Sequence, residues 1–198
     1  MAKTRAITGL DPLAPVEKNA RLMVRERLAD MYAYATYAQS LEQISGLHDL
    51  RIAAKRLRYT LEIFAHVLPE AGKDFAEELA RLQNELGDLH DSEVMLALVH
   101  QCLQGPGTKV SKKTAGKPRL LVTPDLLELI QADAKKPGLS AQTRQGLERF
   151  LYRQEERRVQ SYNAFRQHWD KLEARHFRSE IEEMLDRDEE DESEFRRS

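Results

Sequence analysis

The sequence predicts an all-α fold, an antiparallel bundle of long helices. Only 7 Pro and 9 Gly occur among 198 residues, so there is room for long uninterrupted helices. Ala, Leu, Glu, Arg and Gln are abundant while β-branched residues are scarce, which favours helix over strand. Apolar residues repeat at helical spacing in several segments, and no segment shows the alternation expected of a strand.

Residues 1–13 are expected to be irregular, and residues 14–185 are expected to form one helical domain. Within that domain the first helix is expected over about 14–44. Its apolar side chains advance alternately by four and three positions, which places them on one buried stripe. The stripe consists of Val24, Leu28, Met31, Ala35 and Ala38.

The second and third helices follow after a short break at 45–47. The second helix is expected over about 47–68, and Pro69 then ends it. The third helix begins near Lys73 and shows the same alternating spacing. Its stripe consists of Phe75, Leu79, Leu82, Leu86 and Leu89. Gly87 interrupts this pattern only weakly, so the helix is expected to resume beyond it.

The second half of the chain contains a linker and a long final helix. Residues 105–120 carry five basic residues and no acid, which is typical of a solvated loop or of a mobile basic arm that contacts an anion. A short helix is expected to open at Thr123 and Pro124. Ser140 is then expected to cap a final helix that reaches about Leu185.

Charge is divided between the body of the chain and its C-terminus. The formal net charge is −2, but residues 180–198 hold ten acids against three Arg, a charge of −7, which leaves +5 on residues 1–179. Residues 186–198 are therefore expected to form an acidic disordered tail. A further hypothesis is that this tail folds back onto a basic face and competes with a ligand.

The composition also indicates the cellular compartment in which the protein is expected. Cys102 is the single cysteine, so no disulfide can form within one chain, and a reducing compartment is expected. The N-terminus lacks the apolar core of a signal peptide. The longest apolar run, "VMLALV", is far shorter than a membrane span. We therefore expect a cytoplasmic protein that does not associate with membranes.

The second helix has two chemically different sides. At about 100° per residue, four basic side chains fall within an arc of about 80°. They are His48, Arg51, Lys55 and Arg58. The opposite side is apolar and holds Leu50, Ala53, Ala54, Leu57, Leu61 and Phe64. Like charges at this spacing repel, and only Glu62 offsets them, so the pattern favours an external anion over an ordinary solvated face.

The residue types indicate the class of anion. Arg can contact two phosphate oxygens at once, Lys adds a point charge, and a protonated His donates a hydrogen bond. The row is about 15 Å long, which suits a chain of phosphates better than a single phosphate. Four further Arg side chains either face the same anion-binding groove as this basic row or belong to ordinary surface. They are Arg21 and Arg25 on the first helix, and Arg153 and Arg157 on the last.

Two segments also resemble a known family, CHAD, the conserved histidine α-helical domain. The segments are "LHDLRIAAKRLRYTLEIF" and, further along, "LARLQNELGDLHDSEVMLALV". The first carries the family's longer motif in His48, Arg51, Ile52, Lys55, Arg56, Leu57 and Arg58. The second carries a shorter element in Leu86, Gly87 and Asp91. Close similarity covers about residues 47–99.

The resemblance implies an all-helical domain that binds inorganic polyphosphate through a basic surface or channel, without catalysis. It places His48, Arg51, Lys55 and Arg58 on that surface, with Arg56 at its edge. Association of the cytoplasmic protein with polyphosphate granules is a further hypothesis. Members of the family usually contain two related halves, each with a motif helix, and no second motif is found here. A two-fold homodimer would supply the second half, and we state this as a hypothesis.

Two other functions stay open at this stage. The dipeptides His48–Asp49 and His90–Asp91 are of the kind that metal-dependent HD phosphohydrolases use, but no motif supplies further metal ligands. Asp91 is instead expected to cap a helix after a break at Gly87. Sequence-neutral nucleic-acid binding is less favoured, because such proteins interleave aromatic residues with basic ones and only Tyr59 lies on the basic side. No cofactor motif is found.

Overall fold

The computed structural model describes the backbone of residues 6–104 and 140–195. It also describes the side chains of these ranges apart from those at a few positions: 101, 102, 104 and 188–195. The basic loop expected over 105–120 and the short helix expected from Thr123 lie outside the described residues.

Helices account for nearly all of the described backbone: α1 (Val16–Tyr32), a 3-10 helix (Ala35–Gln39), α2 (Ile44–Ile63), α3 (Ala71–Gln104), α4 (Ala141–Ala174) and α5 (Phe177–Phe195). No strand occurs in either described range, and the predicted all-α class is confirmed. Among the helices of these ranges, none has the length and apolar character that crossing a membrane requires.

The chain divides into two compact units. The first consists of residues 1–87 and 162–198, and the second consists of residues 88–161. The first unit is a helical bundle in which α1 packs against both α2 and α5. It contains the whole of α2, which carries the basic side chains singled out above.

The core of the first unit is built from the stripes that the spacing predicted. On α1, Val24, Leu28 and Met31 are at most 1% exposed. On α3, the expected stripe is buried as well: Phe75, Leu79, Leu82 and Leu86 in the first unit, and Leu89 in the second. Burying a side chain of this size contributes roughly 1.5–3 kcal/mol, so these stripes fix which side of each helix faces inward.

The first helix is much shorter than the predicted span of 14–44. It ends at Tyr32, and a 3-10 helix follows before Ser40 takes an extended conformation. This segment is rich in aromatic residues and contains Thr36, and both residue types lose side-chain freedom in an α-helix. The side chain of Tyr37 also lies directly over Gly46 of α2, a contact that a continuous helix would not bring about.

The third helix passes Gly87 without a break. The prediction that Asp91 caps a helix is therefore wrong, because Asp91 lies inside α3 and is exposed. One glycine in a helix interior costs only about 0.5–1 kcal/mol relative to alanine. Leu86 and Leu89, on either side of Gly87, are both buried, and burial of such side chains offsets a cost of this size.

The last helix starts as predicted and ends differently. Ser140 Oγ accepts a hydrogen bond from the backbone N–H of Thr143 at 3.1 Å, which confirms the expected cap. The single helix predicted to Leu185 is instead two helices, since His176 adopts a φ of 61° and turns the chain between α4 and α5.

The acidic C-terminal segment is helical as far as Phe195, where the sequence analysis expected disorder from residue 186. No glycine or proline interrupts this segment. Arg187 also lies 3.5 Å from Glu183, one turn earlier, and such pairs reduce the repulsion among the acids.

Candidate anion-binding site

Four basic side chains lie on one side of α2: His48, Arg51, Lys55 and Arg58. We call them the motif face. All four are half-buried. The opposite side of the helix is packed into the core, where Leu50, Ala53, Ala54, Leu57 and Leu61 are each at most 1% exposed. Burial of that side fixes the rotation of α2, so the helical period brings the motif face together on the other side.

Arg51 and Lys55 have no acidic partner among the side chains that the structure describes. Arg51 Nε is buried, and no hydrogen-bond acceptor from those residues reaches it. Lys55 Nζ lies 5.3 Å from the centre of the Tyr59 ring. An aromatic ring attracts a cation without neutralising it, so the contact with Tyr59 does not replace an acidic partner for Lys55.

Arg58 is held by two weak contacts. Its Nε lies 3.5 Å from Glu62 Oε1, and its guanidinium carbon lies 4.9 Å from the centre of the Tyr59 ring. Tyr59 therefore contacts both Lys55 and Arg58. The Glu62 side chain is 48% exposed, and ion pairs of this exposure contribute only about 0–1 kcal/mol. A multivalent anion could replace this carboxylate at small cost.

Three further candidate residues belong to the first unit: Arg56, Arg21 and Arg25. Arg56 is half-buried on α2, and its carbonyl oxygen accepts a hydrogen bond from Thr60 Oγ1 at 2.9 Å. Arg21 is only 3% exposed, whereas the sequence predicted that it faces the same groove or belongs to ordinary surface. α1, which carries Arg21, packs against both α2 and α5.

Arg25 makes a contact that bears on the acidic end of the chain. It lies one turn after Arg21 and pairs with the carboxylate of Asp186, on α5. The two side chains are 35% and 66% exposed, so the pair is open to competition from solvent anions. The acidic helix α5 therefore occupies one of the basic side chains that the sequence analysis assigned to the ligand.

Arg153 and Arg157 belong to the second unit and are both exposed on α4. Neither has an acidic partner among the described residues. Their neighbour Arg158 differs, since it pairs with Glu93 at 2.7 Å and with Glu155 at 2.9 Å. One turn separates Arg153 from Arg157, so the two exposed charges lie side by side on the same side of α4.

The two His-Asp dipeptides lie on different helices, His48–Asp49 on α2 and His90–Asp91 on α3. Within the described part of the chain, no group of three or more His, Cys, Asp or Glu side chains is arranged to hold a metal ion. The structure thus adds no further metal-ligating side chains to either dipeptide in that part of the chain.

Sequence reasoning missed a cluster that joins α3 to the end of α4 within the first unit. His168 Nε2 lies 2.9 Å from Glu78 Oε2, and His168 Nδ1 lies 2.9 Å from Glu85 Oε2. Burial alone would raise the pKa of Glu78, but the hydrogen bond from His168 and the charge of Arg81 outweigh burial and lower that pKa. The seven-residue spacing of the two glutamates placed them on one side of α3, but it did not reveal the histidine between them.

Comparison with known proteins gives one match. A family model described as the CHAD domain matches residues 2–100, half of the chain. This range contains the whole motif face, whereas Arg153 and Arg157 lie beyond it. No curated protein and no solved structure matches the chain. The homodimer expected from the missing second motif stays a prediction.

Proposed function

The chain belongs to the CHAD family, and on this premise we propose that it binds inorganic polyphosphate, or a similar phosphorylated polyanion, through the motif face of α2. The proposed activity is binding without catalysis. The observation that carries the proposal is the state of Arg51 and Lys55, which are half-buried cations with no acidic partner among the described residues. Burying a charge is unfavourable unless a counter-charge accompanies it, and a phosphate chain would supply one.

The remaining residues of the motif face support a long ligand. Arg58 could exchange the weak contact with Glu62 for a phosphate oxygen, and His48 could donate a hydrogen bond to the same chain. Arg56 would contact the ligand from the edge of the face. Several phosphates held on one chain act as linked binding groups, so the affinity of the whole chain exceeds that of each contact.

Three residues outside α2 are assigned to secondary contacts. Arg25 would have to release Asp186 before it bound phosphate, while Arg153 and Arg157 would offer a separate pair of charges in the second unit. Arg21 is left out of the proposed set because a ligand in solvent reaches little of its side chain.

The proposal is tested with the purified full chain by competition at graded salt. In one arm, unlabelled polyphosphate competes with labelled single-stranded RNA. In the other arm, unlabelled RNA competes with labelled polyphosphate at matched phosphate concentration, and orthophosphate serves as a control competitor in both. We expect polyphosphate to displace RNA readily, RNA to displace polyphosphate poorly, and orthophosphate to do neither. Affinity should fall steeply with added salt, because the contacts are ionic. Absence of polyphosphate binding at low salt, or easy displacement by RNA, contradicts the proposal.

A further inference from the structure

Gly87 occupies an unusual place in α3. It lies in the interior of a 34-residue helix, where glycine is less favourable than alanine because it loses more backbone freedom on folding. Its φ is not positive, so the backbone does not require glycine here. The absence of a side chain at this position therefore calls for another reason.

The space in front of Gly87 is occupied by Arg51. A Cβ atom placed on Gly87 would lie 3.7 Å from Arg51 Nε and 3.8 Å from Arg51 Nη2. Among the described residues, and leaving aside the adjacent residues and the backbone of α3 itself, no other atom lies within 4 Å of that position. The guanidinium of Arg51 thus lies over the backbone of α3 at Gly87, in space that a larger side chain would take.

We propose that Gly87 is a positioning residue for polyphosphate binding: its missing side chain lets α3 hold the Arg51 guanidinium on the motif face. The inference rests on the proposed function and adds a residue to that site. A guanidinium already held in place loses less conformational freedom when it binds than a mobile one does. Since Arg51 has no acid to release among the described residues, such positioning acts directly on affinity.

The distances also predict which substitutions matter. A methyl group at 3.7 Å makes ordinary van der Waals contact, so Gly87→Ala should leave Arg51 where it is. A leucine side chain extends further and has to displace the guanidinium of Arg51. That guanidinium can move, because it is the flexible end of the Arg51 side chain. Gly87→Leu is therefore expected to fold and to weaken binding. Gly146 offers a matched control, because it is also a helix-interior glycine and a Cβ there would meet nothing within 4 Å.

The test is a double-mutant cycle on polyphosphate affinity with Gly87→Leu and Arg51→Ala. We expect each single variant to bind about ten-fold more weakly, the equivalent of one charge-assisted contact. The double variant should bind no more weakly than Arg51→Ala, while Gly87→Ala and Gly146→Leu should bind as the unmodified chain does. The assignment of Gly87 is overturned if Gly87→Leu binds polyphosphate normally. It is also overturned if Gly87→Leu weakens binding as much in the Arg51→Ala variant as in the unmodified chain.

A second measurement tests the placement of Arg51 without any ligand. Phenylglyoxal modifies accessible guanidinium groups, and mass spectrometry reports the extent of modification at Arg51. We expect faster modification in Gly87→Leu than in Gly87→Ala or the unmodified chain, with helical circular dichroism unchanged. Equal rates would refute the positioning role even if polyphosphate binds. Faster modification with no polyphosphate binding would instead uphold the placement of Arg51 and reject the proposed function.

Discussion

Glu62 is the acid that the sequence places among the basic side chains of the motif face, and it limits how strongly Arg58 attracts a second anion. Glu62→Gln should therefore tighten polyphosphate binding by at least about two-fold, the effect of one helix-surface ion pair. The measurement is a binding titration at low salt. Glu70→Gln is the control. Like Glu62, Glu70 pairs with a cation about one turn away, Lys73 at 2.7 Å, but it lies outside the motif face. Equal tightening by both substitutions would show only an effect of net charge.

The residues of the motif face could be predicted because their order along α2 determines which side they occupy. Contacts between distant parts of the chain could not be predicted in this way. Arg25 and Asp186 are 161 positions apart, and nothing in their local sequence connects them. The burial of Arg21 was missed for a related reason, because burial depends on tertiary packing that the local spacing does not reveal.

At the scale of the helices, the 3-10 helix and α2 meet where Tyr37 lies over Gly46. A Cβ on Gly46 would lie 2.7 Å from Tyr37 Cβ and closer still to its ring. The ring cannot give way by moving its far end, so Gly46→Ala should destabilise the fold by about 1–3 kcal/mol. Gly146→Ala is the same substitution in open space, and it should stabilise the fold by about 0.5–1 kcal/mol. Urea unfolding measures both changes, and destabilisation by neither variant, or equally by both, would contradict this account.

The helix stripes were predictable, while the helix ends were less so. A period of 3.6 residues is repeated many times along a stripe, so an error at one position changes little. An end depends on one or two residues, and the turn between α4 and α5 uses His176 in a conformation that usually signals glycine. This turn lets Trp169 on α4 and Phe177 on α5 both be buried, a requirement that only the tertiary structure reveals.

At the scale of the whole molecule, the cluster of Glu78, His168 and Glu85 links stability to pH. The pKa of Glu78 is lower in the folded chain than its ordinary value of 4.5. The ionised carboxylate therefore stabilises the fold above about pH 4.5, and this contribution is lost as the pH falls through the folded pKa.

Substitution of Glu78 should therefore cost stability in a pH-dependent way. Glu78→Gln should lower the urea midpoint at pH 7, and this effect should shrink as the pH falls through the lowered pKa of Glu78. Glu77→Gln is the control, because Glu77 is exposed and lies 3.8 Å from Arg81. A difference between Glu78→Gln and the unmodified chain that does not shrink as the pH is lowered from 7 would argue against this linkage.

The division of charge between a basic body and an acidic C-terminus also acts on the whole molecule. Asp186 occupies Arg25, so Asp186→Asn should tighten polyphosphate binding at low salt by about two-fold, and the gain should disappear at high salt. Glu183→Gln removes the same charge from α5, but its carboxylate pairs with Arg187. If both variants tighten binding equally, the contact with Arg25 has no specific part in the competition.

Polyphosphate binding by the motif face is tested by a titration that compares two triple variants. The first variant combines Arg51→Ala, Lys55→Ala and Arg58→Ala. The control variant combines Lys73→Ala, Arg81→Ala and Arg187→Ala. Each of the three cations replaced in the control pairs with an acid three or four positions earlier in the sequence. Both variants lose three positive charges. We expect the first to bind polyphosphate at least about ten-fold more weakly, with helical circular dichroism unchanged, and the second to bind nearly as well as the unmodified chain. Normal binding by the first variant, or equal weakening of both, would contradict the account.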